Sequence, residues 1–298
     1  MSTIDVGVDQ RPVPPPGVAA AEPALPVVRP GRGWLVGLAA GWLALVVVSA
    51  VLASLLPLPD YGTPVGMPRS APDLTLGGLL GYDGLGRSVL SRLVYGAQVS
   101  LVVGVVSGLI GFVVGTVLGL LAGFLRGLAD TVISFVADGL LAFPPLVLLL
   151  AMASVLQPSV PTLIWALSTL VVPTFTRLAR ANTMRWANRE FVAAATNMGA
   201  SALRLMGREI LPNLLPSLAA YLPIVIASLI VAEGSLSFLG LGIPPPTPSW
   251  GGMINDGKES ISTHPMIVFV PAAAIFLTVF ALNVVGDRLR ARFGEKTR

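Results

Sequence analysis

One segment of the chain has the glycine and lysine spacing of a nucleotide-binding loop. Gly252, Gly257 and Lys258 follow the Gly-x-x-x-x-Gly-Lys pattern, in which backbone N–H groups and the lysine hold phosphate groups. The next residue of such a loop is Ser or Thr, whose hydroxyl binds Mg²⁺, whereas this chain has Glu259 there. Because a carboxylate at that place repels a nucleotide, we predict that the chain neither binds nor hydrolyses ATP.

Other residues that do covalent or metal chemistry are scarce. The sequence has no cysteine and a single histidine, His264. Disulfide bonds, thiol nucleophiles and thiolate metal sites are therefore excluded, and so is a metal site built from several histidines. A Ser-His-acid triad would depend on His264 alone. We predict a protein that is not an enzyme and has no catalytic residue, no metal site and no cofactor.

Two carboxylates, Asp138 and Glu233, border strongly apolar runs and are candidates for a pathway or a gate. A carboxylate at the centre of a bilayer costs about 2.5 to 3.5 kcal/mol on insertion scales. Asp138 is expected near the start of a helix, so capping of that helix is the alternative to contact with a solute. Glu233 is expected near the outer end of its helix, where it faces either a water-filled pathway or the membrane interface.

Residues 191–213 form a polar, helix-favouring island between two uncharged runs. Alanines occupy positions 193–195, Gly199 follows, and Leu211 and Pro212 come 12 residues after that glycine. Small side chains leave a helix face of low relief, and a glycine lets the chain bend or approach a partner closely. This pattern indicates a docking site for another protein. The alternative is an ordinary loop between two helices.

The elements that must position these residues are membrane helices. Hydrophobic residues make up 54% of the chain and charged residues 11%, and the mean hydropathy is +0.82, far outside the soluble range. A span of the hydrocarbon core needs about 20 apolar residues. Five charge-free windows reach that length: residues 34–56, 99–125, 139–176, 210–232 and 265–286. The third has 38 residues and is broken at 157–161, so it predicts two helices joined by a tight turn and six spans in an all-α protein.

The distribution of positive charge predicts the orientation in the membrane. The net charge of +4 would suggest nucleic acid as a partner of a soluble protein. With both termini in the cytoplasm, however, 15 of the 19 Lys and Arg residues lie inside, including the loop from Arg177 to Arg208. The four outside are Arg69, Arg87, Arg92 and Lys258. We therefore expect residues 57–97 and 243–264 outside and no nucleic-acid binding.

The organisation along the chain follows from these windows. Residues 1–33 are rich in proline and predict a disordered cytoplasmic tail, too long and too broken for a secretory signal. Residues 34–98 comprise the first helix and an external loop. Residues 99–290 are the core domain, with a short cytoplasmic helix near 190–205, and residues 291–298 are a second cytoplasmic tail.

The second window carries a stripe of glycines that lets another helix approach closely. Tight packing within the chain is one explanation, and a sliding contact with a partner subunit is the other. The stripe consists of Gly104, Gly108, Gly111, Gly115, Gly119, Gly123 and Gly127.

Three segments resemble one family, the membrane permease subunits of bacterial ABC importers, and its dipeptide and oligopeptide branch in particular. The first is the 191–213 island. The second is 81–96, in which Asp83, Gly86, Arg87, Ser91, Arg92 and Gly96 match, whereas Tyr82, Ser88 and Gln98 replace threonine, aspartate and arginine. The third is the run Ser-Phe-Leu-Gly-Leu-Gly at 237–242 with the proline and tryptophan turn at 244–252. The resemblance covers residues 81–288, over two-thirds of the chain.

The resemblance implies the type I ABC importer permease fold and a coupling helix that docks in an ATPase subunit. The residues expected there are Glu190, Ala193, Ala194, Ala195, Gly199, Ala200 and Ser201. The family usually has an acidic residue where this chain has Ala193 and an apolar residue where it has Glu209; Glu190 is the candidate replacement for the charge. It also implies a homologous permease as heterodimer partner, two cytoplasmic ATPase subunits and an external solute-binding protein, in a bacterial plasma membrane.

Several alternatives remain open from the sequence. Nickel and glutathione importers share the same motifs, so the solute is a di- or oligopeptide, glutathione or nickel. A secondary transporter or channel that works alone would need a relay of intramembrane ionisable residues, for which Asp138 and Glu233 are the candidates. A membrane protein of assembly without transport is a third class. Arg87 and Arg92 either anchor the chain at lipid headgroups or have an ordered role in an external gate.

Overall fold

The computed structural model describes residues 33–294. The predicted tail at 1–33 therefore lies outside the described residues except for its last residue, and the tail at 291–298 does so from residue 295 onward. Regular structure within 33–294 is helical, apart from an isolated antiparallel bridge between Tyr82 and Ser88. The all-α prediction is confirmed.

Ten α-helices follow one another in the described residues, with a six-residue π-helical segment, Leu205–Ile210, between the seventh and the eighth. They are α1 (Gly33–Val51), α2 (Val89–Leu125), α3 (Gly127–Ala142), α4 (Pro145–Val155), α5 (Val160–Ala187), α6 (Glu190–Asn197), α7 (Ala202–Arg204), α8 (Leu211–Phe238), α9 (Trp250–Gly257) and α10 (Met266–Gly294). Of these, α10 includes the first four residues of the segment expected as a C-terminal tail.

Five helical stretches are long and apolar enough to cross a membrane, and the pair α3 and α4 makes a sixth span if it is counted as one. The prediction of six spans fits that count, but its third span is not a single helix. The axes of α3 and α4 differ by 90°. At about 1.5 Å per residue, the 11 residues of α4 reach roughly 16 Å. The bend lies at Phe143, whose extended backbone is the conformation favoured before a proline.

The glycine stripe packs within the chain. A Cβ added to Gly115 would lie 2.6 Å from Phe175 Cβ, and one added to Gly123 would lie 2.8 Å from the Arg180 carbonyl oxygen, both on α5. Toward the start of α2 the contact changes to α8, where Gly104 faces Ile230. Of the two explanations for the stripe, packing within the chain is confirmed. Gly127 is not part of it, because it has a φ of +56° and no neighbour within 4 Å of an added Cβ.

The long helices run between two ends of the molecule. At one end Arg92, in the first turn of α2, bonds Asp256 in α9. At the other end Arg126, just after α2, bonds Asn188, just before α6. We call these the α9 end and the α6 end. Helix α1 is fixed to α10 by a hydrogen bond from Trp42 Nε1 to Thr278 Oγ1, 3.1 Å long.

The segment between α1 and α2, residues 52–88, is an ordered cap at the α9 end. Val65 and Gly66 donate backbone hydrogen bonds to the Gly86 carbonyl at 2.8 and 3.0 Å. Ser88 then caps α2 by accepting a bond from the Ser91 N–H. Helix α2 therefore begins ten residues before the charge-free window that predicted it, because ion pairs satisfy the charge of Arg92.

Candidate functional site

Helix α6 is closed by a turn that requires glycine. The Gly199 N–H donates to the Thr196 carbonyl at 2.9 Å, and the Ala200 N–H donates to the Ala195 carbonyl at 3.1 Å. This pair of bonds is the Schellman motif, which needs a left-handed residue after the helix. Gly199 has a φ of +82°. Its role within this chain is to end α6.

One face of α6 is anchored in the core and the other is exposed. Val192 is buried in the main apolar cluster together with Leu205, and Ala195 and Ala200 pack against the same cluster. Ala193 and Ala194 lie on the exposed face. The coupling residues predicted from the sequence therefore divide into an inner and an outer set, and Ser201 and Gly199 belong to the outer one.

Large apolar side chains extend the outer face of α6. Met198 is 81% exposed, Leu203 is 78% exposed and Phe191 is 40% exposed. The contacts predicted from the sequence do not include these three residues, because that prediction rests on small side chains. Apolar residues at both borders of a polar segment are the signal that could have identified them. The surface formed by Phe191, Ala193, Ala194, Met198 and Leu203 is called the α6 face below.

Glu190 is the first residue of α6 and is exposed. A carboxylate there is favoured by the helix dipole. Ala193 lies three positions later, so the two residues are neighbours on the helix surface. The charge that the family has at the Ala193 position is thus displaced by about one turn.

Asp138 lies in the last part of α3, not at a helix start, so its assignment as a helix cap is wrong. Its Oδ1 accepts bonds from Arg177 Nη2 at 2.6 Å and from Nε at 3.1 Å. Both side chains are 57% exposed, so the pair contributes at most about 1 kcal/mol. The carboxylate in the first turn of α3 is Asp130, which binds Arg180 on α5 at an Nη2 to Oδ2 distance of 2.6 Å. Sequence reasoning missed Asp130 because α3 was expected to begin later.

Glu233 is fully buried, and it faces neither a water-filled pathway nor the membrane interface. Its Oε2 accepts a bond from Ser100 Oγ in α2 at 2.9 Å, and its Oε1 accepts one from Ser237 Oγ at 2.7 Å. Ser100 Oγ in turn accepts the Trp250 N–H at 3.3 Å. Neither environment expected for Glu233, a water-filled pathway or the membrane interface, is the one found. Its carboxyl group instead connects α2, α8 and the start of α9 through hydrogen bonds.

Arg87 and Arg92 are buried in an ion-pair cluster at the α9 end. Arg87 Nε lies 2.6 Å from Asp83 Oδ2, and Arg92 Nη2 lies 3.0 Å from Asp256 Oδ2. Their exposed fractions are 6% and 3%. Side chains buried in this way cannot reach lipid headgroups, so the reading as interfacial anchors is wrong and the ordered role is supported. No feature of the sequence pointed to Asp256 as their partner.

A cavity of about 180 Å³ opens beside this cluster. Arg92 and Asp256 form its charged wall, Ser237 and Asn255 add polar groups, and Pro158 from the turn between α4 and α5 closes another side. It lies where α2, α8 and α9 meet, next to the Glu233 hydrogen bonds. The polar groups of the α9 end are thus concentrated around one small space.

The segment with nucleotide-loop spacing is helical. It forms α9, and the Gly252 N–H is already bound to Ser249 Oγ at 3.1 Å. Lys258 Nζ donates to Asn255 Oδ1 at 2.8 Å. A phosphate cradle needs free backbone N–H groups in a loop. This geometry offers none, in agreement with the argument from Glu259.

Comparison with known proteins identifies the family. Residues 115–298 match the family described as "Binding-protein-dependent transport system inner membrane component". The glutathione transport system permease protein GsiD of Shigella flexneri serotype 5b is 42% identical over 218 residues, which are 73% of this chain and 72% of that protein. The chain belongs to this family. The GsiD protein of Escherichia coli O6:K15:H31 is 39% identical over the same share of each chain.

Solved structures agree on the fold of this permease. The inward-facing MetNI methionine ABC transporter in the CY5 native crystal form matches with a TM-score of 0.57 and 18% identity, over 68% of this chain and 97% of that one. A second crystal form, soaked with selenomethionine, also gives 0.57 at 20% identity. The permease therefore has the predicted ABC importer fold.

Family membership settles the general function. The protein is a multi-pass inner-membrane permease subunit of an ABC importer, and proteins of this family work with ATPase and solute-binding partners. A secondary transporter or channel that works alone and an assembly protein without transport are both excluded as readings. The family is a transport component and not an enzyme.

Proposed function

We propose that this permease moves di- or oligopeptides into the cytoplasm and takes its energy from ATPase subunits that dock on the α6 face. The observation that carries the proposal is the division of α6: Val192 anchors it in the core, while Met198 and Leu203 on the α6 face are 81% and 78% exposed. Phe191 is partly covered by a ring contact with Trp186 of α5, 6.2 Å between centroids. An exposed apolar patch rimmed by polar residues is typical of an interface. Glu190 and Arg204 supply that rim.

Peptides are the favoured solute class because the similar proteins are named as glutathione permeases, and glutathione is itself a tripeptide. Glutathione and nickel remain the alternatives within the same family. The cavity lined by Ser237, Asn255 and the Arg92–Asp256 pair supports a polar solute, such as a peptide.

The assembly proposed is a heterodimer with a homologous permease, two ATPase subunits in the cytoplasm and a solute-binding protein outside, all held in membrane lipid. The α6 end and both termini face the cytoplasm, and the α9 end faces out. The charge distribution supports this orientation, because the arginines of α5, of the segments on either side of α6 and of the end of α10 gather at the α6 end. The coupling residues are those of the α6 face with Glu190, Ala195, Gly199, Ala200 and Ser201.

In this arrangement a movement of the ATPase subunits is transmitted through packed elements. Val192 and Leu205 lie in one buried cluster with residues of α5 and α8, so a displacement of α6 moves these spans as well. At the other end Ser100, Glu233 and Trp250 tie α2, α8 and α9 together. Asp138 and Glu233 remain the candidate gate residues, Asp138 through its exposed pair and Glu233 through this connection.

The test is a bulky residue on the α6 face. Ala194→Trp is preferable to a substitution of Gly199, because any side chain at φ +82° also disturbs the turn. Overpacking of a fitted contact costs about 1 to 3 kcal/mol, which weakens binding roughly 5-fold to 150-fold. The ATPase subunits are co-purified with the variant, and solute uptake is measured at matched expression.

The matched control is Ala40→Trp, because Ala40 is also exposed on a helix but lies in α1. It should retain ATPase binding and uptake. If Ala194→Trp bound the ATPase subunits as well as Ala40→Trp did, the α6 face would not be the docking site. Competition of the uptake by a dipeptide, glutathione or Ni²⁺ identifies the solute class in the same assay.

A further inference from the structure

The helix that leads from the α6 region into span α8 contains one wide turn, which holds one residue more than the same turn of an α-helix would. Over Leu205–Ile210 the backbone is π-helical. At its end the Leu211 N–H donates to the Met206 carbonyl, five residues back instead of four. Such wide turns are short and occur often at functional sites.

Pro212 accounts for the wide turn. In a regular α-helix the residue at 212 would donate its N–H to the carbonyl of Arg208, but proline has no N–H and its ring collides with that carbonyl. The next carbonyl, that of Glu209, accepts a bond from the Asn213 side chain at 2.7 Å. The sequence Pro212-Asn213 thus removes one α-helical bond and supplies a side-chain donor next to it.

The extra residue sets which side chains enter the core. Leu205 and Ile210 are both buried, at 4% and 0% exposure. In an α-helix, at about 100° per residue, side chains five positions apart point about 140° away from each other. The π-helical turn brings them to one face. Gly207 and Arg208 point outward between them.

We propose that Pro212 is a positioning residue that fixes the angle at which the α6 face meets its partner. Without the wide turn, everything before residue 205 would rotate by about 100° and shift by about 1.5 Å relative to α8. Val192 would then leave its place beside Leu205, and the α6 face would turn away. The proposal rests on the proposed function only in taking the α6 face as the docking surface.

Thiol labelling tests the angle directly, since the sequence contains no cysteine. In the assembled complex with native Pro212, Leu205→Cys should be protected and Arg208→Cys should react. In a Pro212→Ala background we expect Leu205→Cys to become reactive. Pro216→Ala is the control, because Pro216 lies inside α8 and outside the wide turn, and it should leave the labelling unchanged.

A one-residue deletion separates positioning from a general loss of structure. Gly207 has no neighbour within 4 Å of an added Cβ, so its deletion removes little packing. Pro212→Ala should reduce uptake per ATP hydrolysed about tenfold, the effect of a change of about 1.4 kcal/mol. Deleting Gly207 in that background removes the surplus residue and should restore both the protection of Leu205→Cys and the uptake.

Two results would overturn the proposal. One is unchanged protection of Leu205→Cys in Pro212→Ala, and the other is restored protection without restored uptake in the deletion variant. If Pro212→Ala does not reach the membrane, deletion of Gly207 alone tests the same angle, and normal uptake then contradicts it. Leu205 is buried by contacts within this chain, so its labelling outcome stands apart from that of Ala194→Trp.

Discussion

Arg92 and Asp256 form an ion pair, 3.0 Å from Nη2 to Oδ2, between residues 164 positions apart in the chain. Arg92 is buried in the first turn of α2, whereas the Asp256 side chain is 36% exposed. The pair connects the ordered cap of residues 52–88 with α9, because Arg92 also lies 3.4 Å from Asp83 in the cap. The structure at the α9 end of this permease therefore depends on charges that are paired with one another within the chain.

Removal of Asp256 should destabilise the protein measurably. Breaking a buried ion pair costs about 3 to 5 kcal/mol, and the partial exposure of Asp256 lowers our expectation to about 2 kcal/mol for Asp256→Ala. The measurement is the unfolding temperature of the detergent-solubilised complex. Asp287→Ala is the control, since Asp287 pairs with Arg290 at the surface and should change stability by less than about 0.5 kcal/mol. Equal effects of the two variants would contradict the role of the cluster.

Glu233 should tolerate an amide better than an apolar side chain. In Glu233→Gln one serine hydroxyl keeps its acceptor and the other can turn to accept from the amide. In Glu233→Leu, Ser100 and Ser237 lose their acceptors, at about 1 to 3 kcal/mol for each buried group left unpaired. Thermal unfolding and uptake of the two variants are compared with those of the native chain. A Leu variant as stable as the Gln variant would show that these hydrogen bonds contribute nothing.

The glycine stripe should be sensitive to a single methyl group. A Cβ at Gly115 would lie 2.6 Å from Phe175 Cβ and 2.7 Å from the Val172 carbonyl oxygen, so Gly115→Ala forces α2 and α5 apart. Overpacking of this kind costs about 1 to 3 kcal/mol. Gly41→Ala in α1 meets no atom within 4 Å and should be neutral or slightly stabilising. Thermal unfolding of both variants decides between a tight contact and a loose one.

The ordered cap formed by residues 52–88 should become less stable in acid. Hydrogen bonds from the Thr75 hydroxyl and N–H and from the Tyr82 hydroxyl lower the pKa of Asp73 below its ordinary value of 3.8. A carboxyl group with a lowered folded-state pKa stabilises the structure above its ordinary pKa, and that contribution is lost as the pH falls through the folded value. Limited proteolysis of residues 52–88 should therefore accelerate below about pH 4. Asp73→Asn should show no acceleration in that range, and a native chain equally resistant throughout would refute the assignment.

The orientation of the two ends is tested with single cysteines. Ser201→Cys at the α6 end should be protected from a membrane-impermeant thiol reagent in intact cells, and Ser262→Cys near α10 should react. Both serines are exposed, whereas Ser260 is buried and would report poorly. Labelling of Ser201→Cys without Ser262→Cys would invert the topology and remove the basis for docking at α6.

The spans and the turn that ends α6 were readable from sequence because each rests on local chemistry. Windows without charge follow from the cost of burying a charge in lipid, and Gly199 indicates a left-handed residue at the end of a helix. The bend between α3 and α4 has a local signal as well, the double proline at 144–145, which the prediction of an unbroken third span does not use.

The polar clusters were not readable, because their partners are remote in the chain. Glu233 binds Ser100 at a separation of 133 residues, and Arg92 binds Asp256. Before the helices are placed, nothing distinguishes a serine in an apolar run from any other. The sequence suggested that Glu233 needed water, whereas packing supplies two hydroxyl donors in place of it.

The contact between α2 and α5 bears on how the permease moves. Between Gly111 and Gly123 the backbone of α2 packs directly against backbone atoms and the first side-chain atoms of α5. No layer of long side chains lies between the two helices that could slide or change rotamer. We expect α2 and α5 to move together as one rigid body during transport. Bending is then left to the elements around it, the broken pair α3 and α4 and the proline-containing α8. We therefore expect fewer elements of this permease to change shape during transport than it has spans.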